Sequence, residues 1–275
     1  MRKPNDNCLL CLINKADKKN SHILPKYLSS KLLGSKESKK GFQISSDRPI
    51  EKLKKNVQDS PKEDYILCSE CESYLSILER VSSSFFLTWR SNINNPNFSI
   101  KSMAENCSLL IYNNPNTKSL KLLIYSIFWR ASISSNNVFN NIQINKGFEN
   151  KLRKIILTYK TIKQNELKHL LNGKSNFEIF PFTIITAESF KDETSNILYV
   201  PFYNGAYRLI VDQYTFLLFR DKSEIPAKLF ELGGNLKAED CKMLIFSIEL
   251  WQDNIIQPVM DNLAKMIKEA NNKSR

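Results

Sequence analysis

Cys8-Leu9-Leu10-Cys11 and Cys68-Ser69-Glu70-Cys71 are the stretches whose reading decides how the first third of this chain folds. Each is a Cys-x-x-Cys knuckle, and a two-residue spacer lets both sulfurs of a pair reach one metal ion about 2.3 Å away. Four thiolates in two close pairs match a tetrahedral ion. Cys8, Cys11, Cys68 and Cys71 are therefore expected to hold a structural Zn2+. Such a site is closed and does no chemistry itself, so its interest lies in what it positions. His22 lies between the knuckles, and Glu72 directly follows the last cysteine.

The two remaining cysteines, Cys107 and Cys241, stand alone and read as small buried apolar residues. A disulfide framework is the competing reading of the knuckles. It fits poorly in 275 residues with no export signal. Met1 to Asp6 lead straight into the first knuckle without a signal peptide, and no apolar run is long enough to span a bilayer. The expectation is a cytoplasmic protein with no membrane partner. Hydrophobic residues make up 42% of the chain and aromatic residues 11%, enough for a real core.

The formal charge of +12 points toward a polyanion, and its distribution sharpens that. Residues 1–60 hold 14 Lys and Arg against 6 Asp and Glu, so most of the excess surrounds the first knuckle. A lysine-rich solvated surface is the bland reading. Beside a zinc knuckle, nucleic acid is the expected partner, and Lys18, Lys19, Lys26 and Lys31 are candidate phosphate contacts.

Along the chain, residues 31–64 are polar, basic and punctuated, and read as a loop or insertion that orders on binding. Tyr65-Ile66-Leu67 reads as a short strand delivering Cys68. A helix is expected from Ser69, with Leu75, Leu78, Val81 and Phe85 at helical spacing. A second region begins near residue 96. It is expected to hold helices over 120–133 and 148–159 and three strands over 177–187, 197–203 and 206–219. Asn204-Gly205 is a candidate hairpin turn. A closing helix over 248–270 is expected to kink or restart at Pro258. The class is α+β, divided into residues 1–95, with the basic insertion at 31–64, and a helical and antiparallel-sheet region over 96–275.

Three elements in order carry a resemblance. They are Cys8-x-x-Cys11, then Ser21-His22-Ile23-Leu24-Pro25-Lys26, then Leu67-Cys68-x-x-Cys71-Glu72. Together with Gln58-Asp59-Ser60-Pro61-Lys62-Glu63, they resemble the HNH or His-Me finger (ββα-metal) endonuclease superfamily. The likeness is to its zinc-knuckle members, a group of bacterial HNH-like proteins, and it covers about residues 8–90. It implies a zinc-pinned, treble-clef-like ββα finger that hydrolyses phosphodiester bonds in DNA. His22 falls where the superfamily places its general base, and Glu72 where it places a ligand to one divalent cation, Mg2+ or Mn2+. Glu79, two helical turns further, becomes a second ligand or a residue orienting His22. By analogy the setting is a bacterial antiviral defence effector.

Ser21 departs from the pattern, because many members carry an acidic or histidine ligand at that place. The alternative is therefore a non-catalytic zinc-finger module binding nucleic acid or a protein. RNA is a weaker substrate than DNA on this reading. The bland readings are a solvated first-turn acid for Glu72, half of an ion pair for Glu79, and a helix-surface position for His169. The pairs Trp89-Arg90 and Trp129-Arg130 stack on bases or, more simply, set a core aromatic beside a cation. No Gly-rich phosphate loop and no Gly-x-Ser-x-Gly elbow is present. The apolar faces of 120–133 and 248–270 either close the core or meet a protein partner or a second copy, as a homodimer.

Overall fold

A twenty-residue helix, Ser69–Thr88, organises the N-terminal part of the computed structural model, which describes residues 2–29, 32, 41–44, 54–57, 60–90, 96–113, 117–172, 177–188, 197–201, 205–232, 234–239 and 241–273. Cys71, Tyr74, Leu75, Leu78, Ser82, Phe85 and Phe86 recur at three- and four-residue spacing and form its buried face. Its cap residue is Cys68, whose side chain makes no cap hydrogen bond. Asp17 serves instead, accepting from the Ser69 amide at 2.7 Å and from its hydroxyl at 2.6 Å. The helix start is thus tied to the first knuckle loop.

Before this helix come β1 (Ser21–His22), the turn α1 (Lys26–Ser29), the paired strands β2 (Gly41–Ile44) and β3 (Lys54–Val57), and β4 (Lys62–Glu63); the helix itself is α2. β1 pairs antiparallel with β4, Ser21 opposite Glu63 and His22 opposite Lys62. Two expectations are corrected here. Residues 65–67 are not a strand: Tyr65 takes φ 59°, and Ile66 and Leu67 are buried without pairing in a sheet. The strand before the second knuckle is the polar Lys62–Glu63. The 31–64 segment also contains the β2–β3 pair rather than loop alone.

After α2 follow β5 (Phe98–Ala104), β6 (Cys107–Tyr112), α3 (Thr117–Ile133), α4 (Lys146–Thr158), α5 (Gln164–Asn172), β7 (Phe182–Ala187), β8 (Leu198–Tyr199), β9 (Tyr207–Val211), β10 (Tyr214–Leu218), α6 (Ala227–Leu232), β11 (Lys242–Phe246) and α7 (Ile248–Trp251). A π-turn, Gln252–Ile256, joins α7 to α8 (Gln257–Lys273). The class is mixed α+β. Seven strands, not three, form the large sheet, in the order β5-β6-β11-β7-β10-β9-β8. All neighbours are antiparallel except β7 and β11. The stretch 206–219 is a hairpin, with Asp212 at φ 52° turning the chain between Val211 and Tyr214. Gly205 carries φ 86°, while Asn204 lies outside the described residues.

The sheet separates two buried clusters by strict alternation. Leu209, Val211, Tyr214, Phe216, Leu218, Met243 and Ile245 face the cluster that also holds α2, α3 and α4. Ile185, Ile210, Leu217 and Leu244 face a second cluster with Trp251, Ile255 and Val259. α3 is buried on nearly its whole circumference, the pattern of a central helix. The cluster containing it is continuous from Cys8 to Ile245, so the knuckles and one face of the large sheet share a core.

The last helix behaves as Pro258 dictates. Proline lacks an amide proton and crowds the carbonyl four residues earlier, that of Asn254. The π-turn absorbs this step, and the Arg208 guanidinium lies 3.4 Å from the Asn254 carbonyl oxygen. No described helix is long and apolar enough to cross a membrane.

Candidate metal centre and the strand pair beside it

The first knuckle folds back on itself through Leu12 N–H to the Cys8 carbonyl and Cys8 N–H to the Asn14 carbonyl, both 2.8 Å. Leu12 takes φ 62° to make that reversal. The second knuckle is held against the first by Leu9 N–H to the Ile66 carbonyl (2.9 Å), Lys18 N–H to the Leu67 carbonyl (3.2 Å) and Tyr65 N–H to the Lys18 carbonyl (2.7 Å). Backbone bonds therefore bring together two cysteine pairs that lie far apart in sequence.

The four sulfurs of Cys8, Cys11, Cys68 and Cys71 lie within 4.8 Å of one another, all in buried residues, and can hold a metal ion such as zinc. Cys11 Sγ is 3.9 Å from Cys68 Sγ. Among the four, a hydrogen bond from the Cys71 thiol and the amides of Cys11, Cys68 and Leu10 outweigh burial at Cys8. Its thiol is lowered to about 4. The hydrogen bond to Cys8 in turn drives the Cys71 thiol up, and burial raises that of Cys68. A thiolate supplied with several donors is the state that binds a soft metal. The remaining cysteines play no part: Cys241 is buried and Cys107 half-buried, away from the cluster.

β1 passes beside the start of α2. Ser21 is 1% exposed and its Oγ has no hydrogen-bond partner. Glu72, in the first turn of α2, has its Oε2 buried and equally without a partner. Burial pushes the Glu72 carboxyl above the usual range. The Ser21 hydroxyl and the charges of Arg130 and Lys18 pull it down, and the charge of Glu79 pushes it further up. The Ser21 hydroxyl is thus the neighbour that lowers the Glu72 carboxyl most, by side-chain hydrogen bonding, although neither Ser21 Oγ nor Glu72 Oε2 has a hydrogen bond of good geometry. Two buried polar oxygens thus stand beside one another, with Glu72 Oε2 keeping acceptor capacity. His22, next to Ser21 on β1, is half-buried.

Glu79 pairs with Arg130. Its Oε1 lies 2.9 Å from Arg130 Nη1, with the Arg130 side chain 2% and the Glu79 side chain 19% exposed. The same Nη1 donates to the His22 carbonyl at 2.9 Å. Near them the Tyr27 hydroxyl is buried without a partner, and its pKa is raised chiefly by burial and then by the Glu79 charge.

Lys18 is half-buried and near enough to Glu72 to lower its pKa, whereas Lys19 lies 5.8 Å from the Tyr65 ring centroid. Lys26 is exposed at the start of α1; Lys31 lies outside the described residues. His169 is exposed on α5, as a helix-surface histidine. The first Trp-Arg pair is structural. Trp89 donates its indole N–H to the Tyr214 hydroxyl at 3.1 Å, and Arg90 donates to the Ala187 carbonyl, the Thr186 hydroxyl and the Gln213 amide oxygen.

Two residues at this strand pair carry no local signal in the sequence. Arg130 was visible only as the companion of Trp129, and its 51-residue separation from Glu79 hides the pair. Glu63 stood in an apparent loop, although it lies opposite Ser21. Comparisons of the chain with protein-family models, with curated proteins and with solved structures return no match.

Proposed function

We propose that this protein is a metal-dependent endonuclease acting on DNA, in which β1, β4 and α2 form a zinc-pinned, treble-clef-like ββα finger. The zinc assignment is supported by geometry: four sulfurs about 2.3 Å from a tetrahedral centre stand about 3.8 Å apart, and Cys11 and Cys68 are separated by 3.9 Å. The nuclease assignment rests chiefly on one observation, the buried oxygens of Ser21 and Glu72 brought together where β1, the strand that also carries His22, meets α2. A carboxylate and a hydroxyl oxygen suit a hard cation that keeps several waters, which fits Mg2+ or Mn2+.

Glu72 and Ser21 would hold that cation, Glu72 as the anionic ligand. When bound, the cation supplies charge neutralisation at the scissile phosphate and the leaving oxygen. His22 accepts the proton of the attacking water, the general-base role that an imidazole nitrogen can fill. Lys18, Lys19 and Lys26 contribute positive charge for the DNA backbone, consistent with the excess of base in residues 1–60. Glu79 orients through its ion pair rather than ligating.

The second reading is a zinc module that binds nucleic acid without cutting it. The weak Ser21 ligand favours it. Supercoiled-plasmid cleavage with Mg2+ or Mn2+ separates the two, comparing wild type with His22→Ala and Glu72→Ala. The nuclease reading expects nicking by wild type and its loss in both variants. Retained DNA binding with no nicking under either metal establishes the second reading, and nicking that survives both substitutions removes His22 and Glu72 from the site.

A further inference from the structure

We propose that the C-terminal end of α3 is part of the candidate active site, acting as a positioning clamp on both strands of the pair that carries His22. The proposal rests on the nuclease reading above for its catalytic consequence, and on independent contacts for its structural one.

Each strand of the pair is only two residues long, and so short a ladder has little stability of its own. Its placement is fixed from outside. On β1, the His22 carbonyl accepts from Arg130 Nη1 at 2.9 Å. On β4, the Glu63 carboxylate accepts from the Ser134 hydroxyl at 2.7 Å and from the Ser135 amide at 3.0 Å, immediately after α3 ends. Ser134 and Ser135 follow Arg130 by about one helical turn, so a single helix end grips both strands. Arg130 is itself immobilised. Its Nε lies 3.3 Å from the Ser126 carbonyl, Glu79 balances its charge, and the whole side chain is 2% exposed.

Three elements therefore meet at Arg130: α3, the strand of His22, and α2 through Glu79. A guanidinium can do this because its several N–H groups point along fixed directions, whereas an ammonium offers a compact charge with no fixed fork. The α+β region is on this view not an appended recognition module. It supplies the residue that sets where the His22 backbone lies relative to Glu72. A misplacement of about 1 Å at a reacting group costs on the order of a hundredfold in rate, so loosening either grip should be felt in turnover before it is felt in binding.

The test uses the full-length, zinc-loaded protein and the variants Arg130→Lys, Glu63→Ala and Glu63→Gln. The chain has only two histidines, so the imidazole NMR signals of His22 can be followed with His169 as an internal control. Arg130→Lys and Glu63→Ala are expected to shift or broaden the His22 ring signals and leave His169 unchanged. They are also expected to lower kcat about tenfold to a hundredfold, with KM for a DNA duplex within about twofold. Glu63→Gln, which keeps an acceptor at the same place, is expected to recover most of the loss. If both strong variants only lower the unfolding temperature, with His22 signals and kcat unchanged, the clamp is a core contact and the proposal is overturned. Should Arg130→Lys fail to fold, Glu63→Ala on the half-buried side of the clamp decides alone. If wild type does not cut DNA, the nuclease reading fails, while the His22 signals still decide whether α3 positions this strand.

Discussion

Removing the Glu79 carboxylate offers the sharpest energetic test of how the strand pair is held. Glu79→Ala leaves the Arg130 guanidinium, 2% exposed, without its counter-charge at 2.9 Å. Breaking a buried pair from one side generally costs about 3–5 kcal/mol, because the surviving charge stays desolvated. Glu79 is 19% exposed, and the His22 and Ser126 carbonyls still accept from Arg130, so the lower end, about 3 kcal/mol, is expected. That is a large share of the roughly 5–15 kcal/mol that stabilises a typical domain. Urea unfolding of the zinc-loaded protein, followed by the fluorescence of the buried Trp89, Trp129 and Trp251, measures it. Arg130→Met added to Glu79→Ala removes the stranded charge, so the double variant should be less destabilised than the sum of the singles by about 2 kcal/mol. A Glu79→Ala cost below about 1 kcal/mol, or strict additivity in the cycle, would refute the view that this pair is coupled and buried.

Three further outcomes follow from the same geometry. Cys8→Ser should reduce metal content from one zinc per chain toward zero by elemental analysis, with loss of cooperative unfolding, because binding energy at such a site is folding energy. Tyr74→Phe removes a buried donor, since the Tyr74 hydroxyl donates to the Ile156 carbonyl at 2.8 Å. The cost should be about 1–2 kcal/mol in urea unfolding, with zinc content unchanged. Glu72 has a pKa raised by burial, so the metal-free fold favours its protonated form; that contribution is present below the ordinary carboxylate range and is lost as pH rises through the raised value. Binding of Mn2+, which needs the carboxylate, should weaken as pH falls through the same value. Glu72→Gln should flatten that pH dependence in a Mn2+ titration of the zinc-loaded protein.

What the sequence disclosed depended on how local each signal was. The knuckles were legible because two residues of spacing fix whether two sulfurs can share an ion, and α2 and α4 because a buried helical face repeats within a few residues. The 206–219 stretch misled because its turn at Asp212 lacks glycine, although aspartate tolerates the φ of 52° that the turn requires. Ile66 and Leu67 looked like a strand because they are apolar; they are apolar because the knuckle core buries them. Lys62 and Glu63 form the real strand and carry no apolar signal at all, since their place is set by pairing with Ser21 and His22. The Arg130 contact could not be read either, because nothing near it in sequence records that the His22 carbonyl lies within reach.

The central claim, that His22 removes a proton from water at a site organised by Glu72, is tested most directly by chemical rescue. His22→Gly leaves a gap the size of the lost ring, and imidazole added to the assay can take its place. Zinc-loaded His22→Gly is expected to cut supercoiled plasmid far more slowly than wild type in Mn2+, with imidazole restoring the rate in proportion to its neutral fraction. Cleavage by His22→Gly at the wild-type rate with no imidazole present would contradict it.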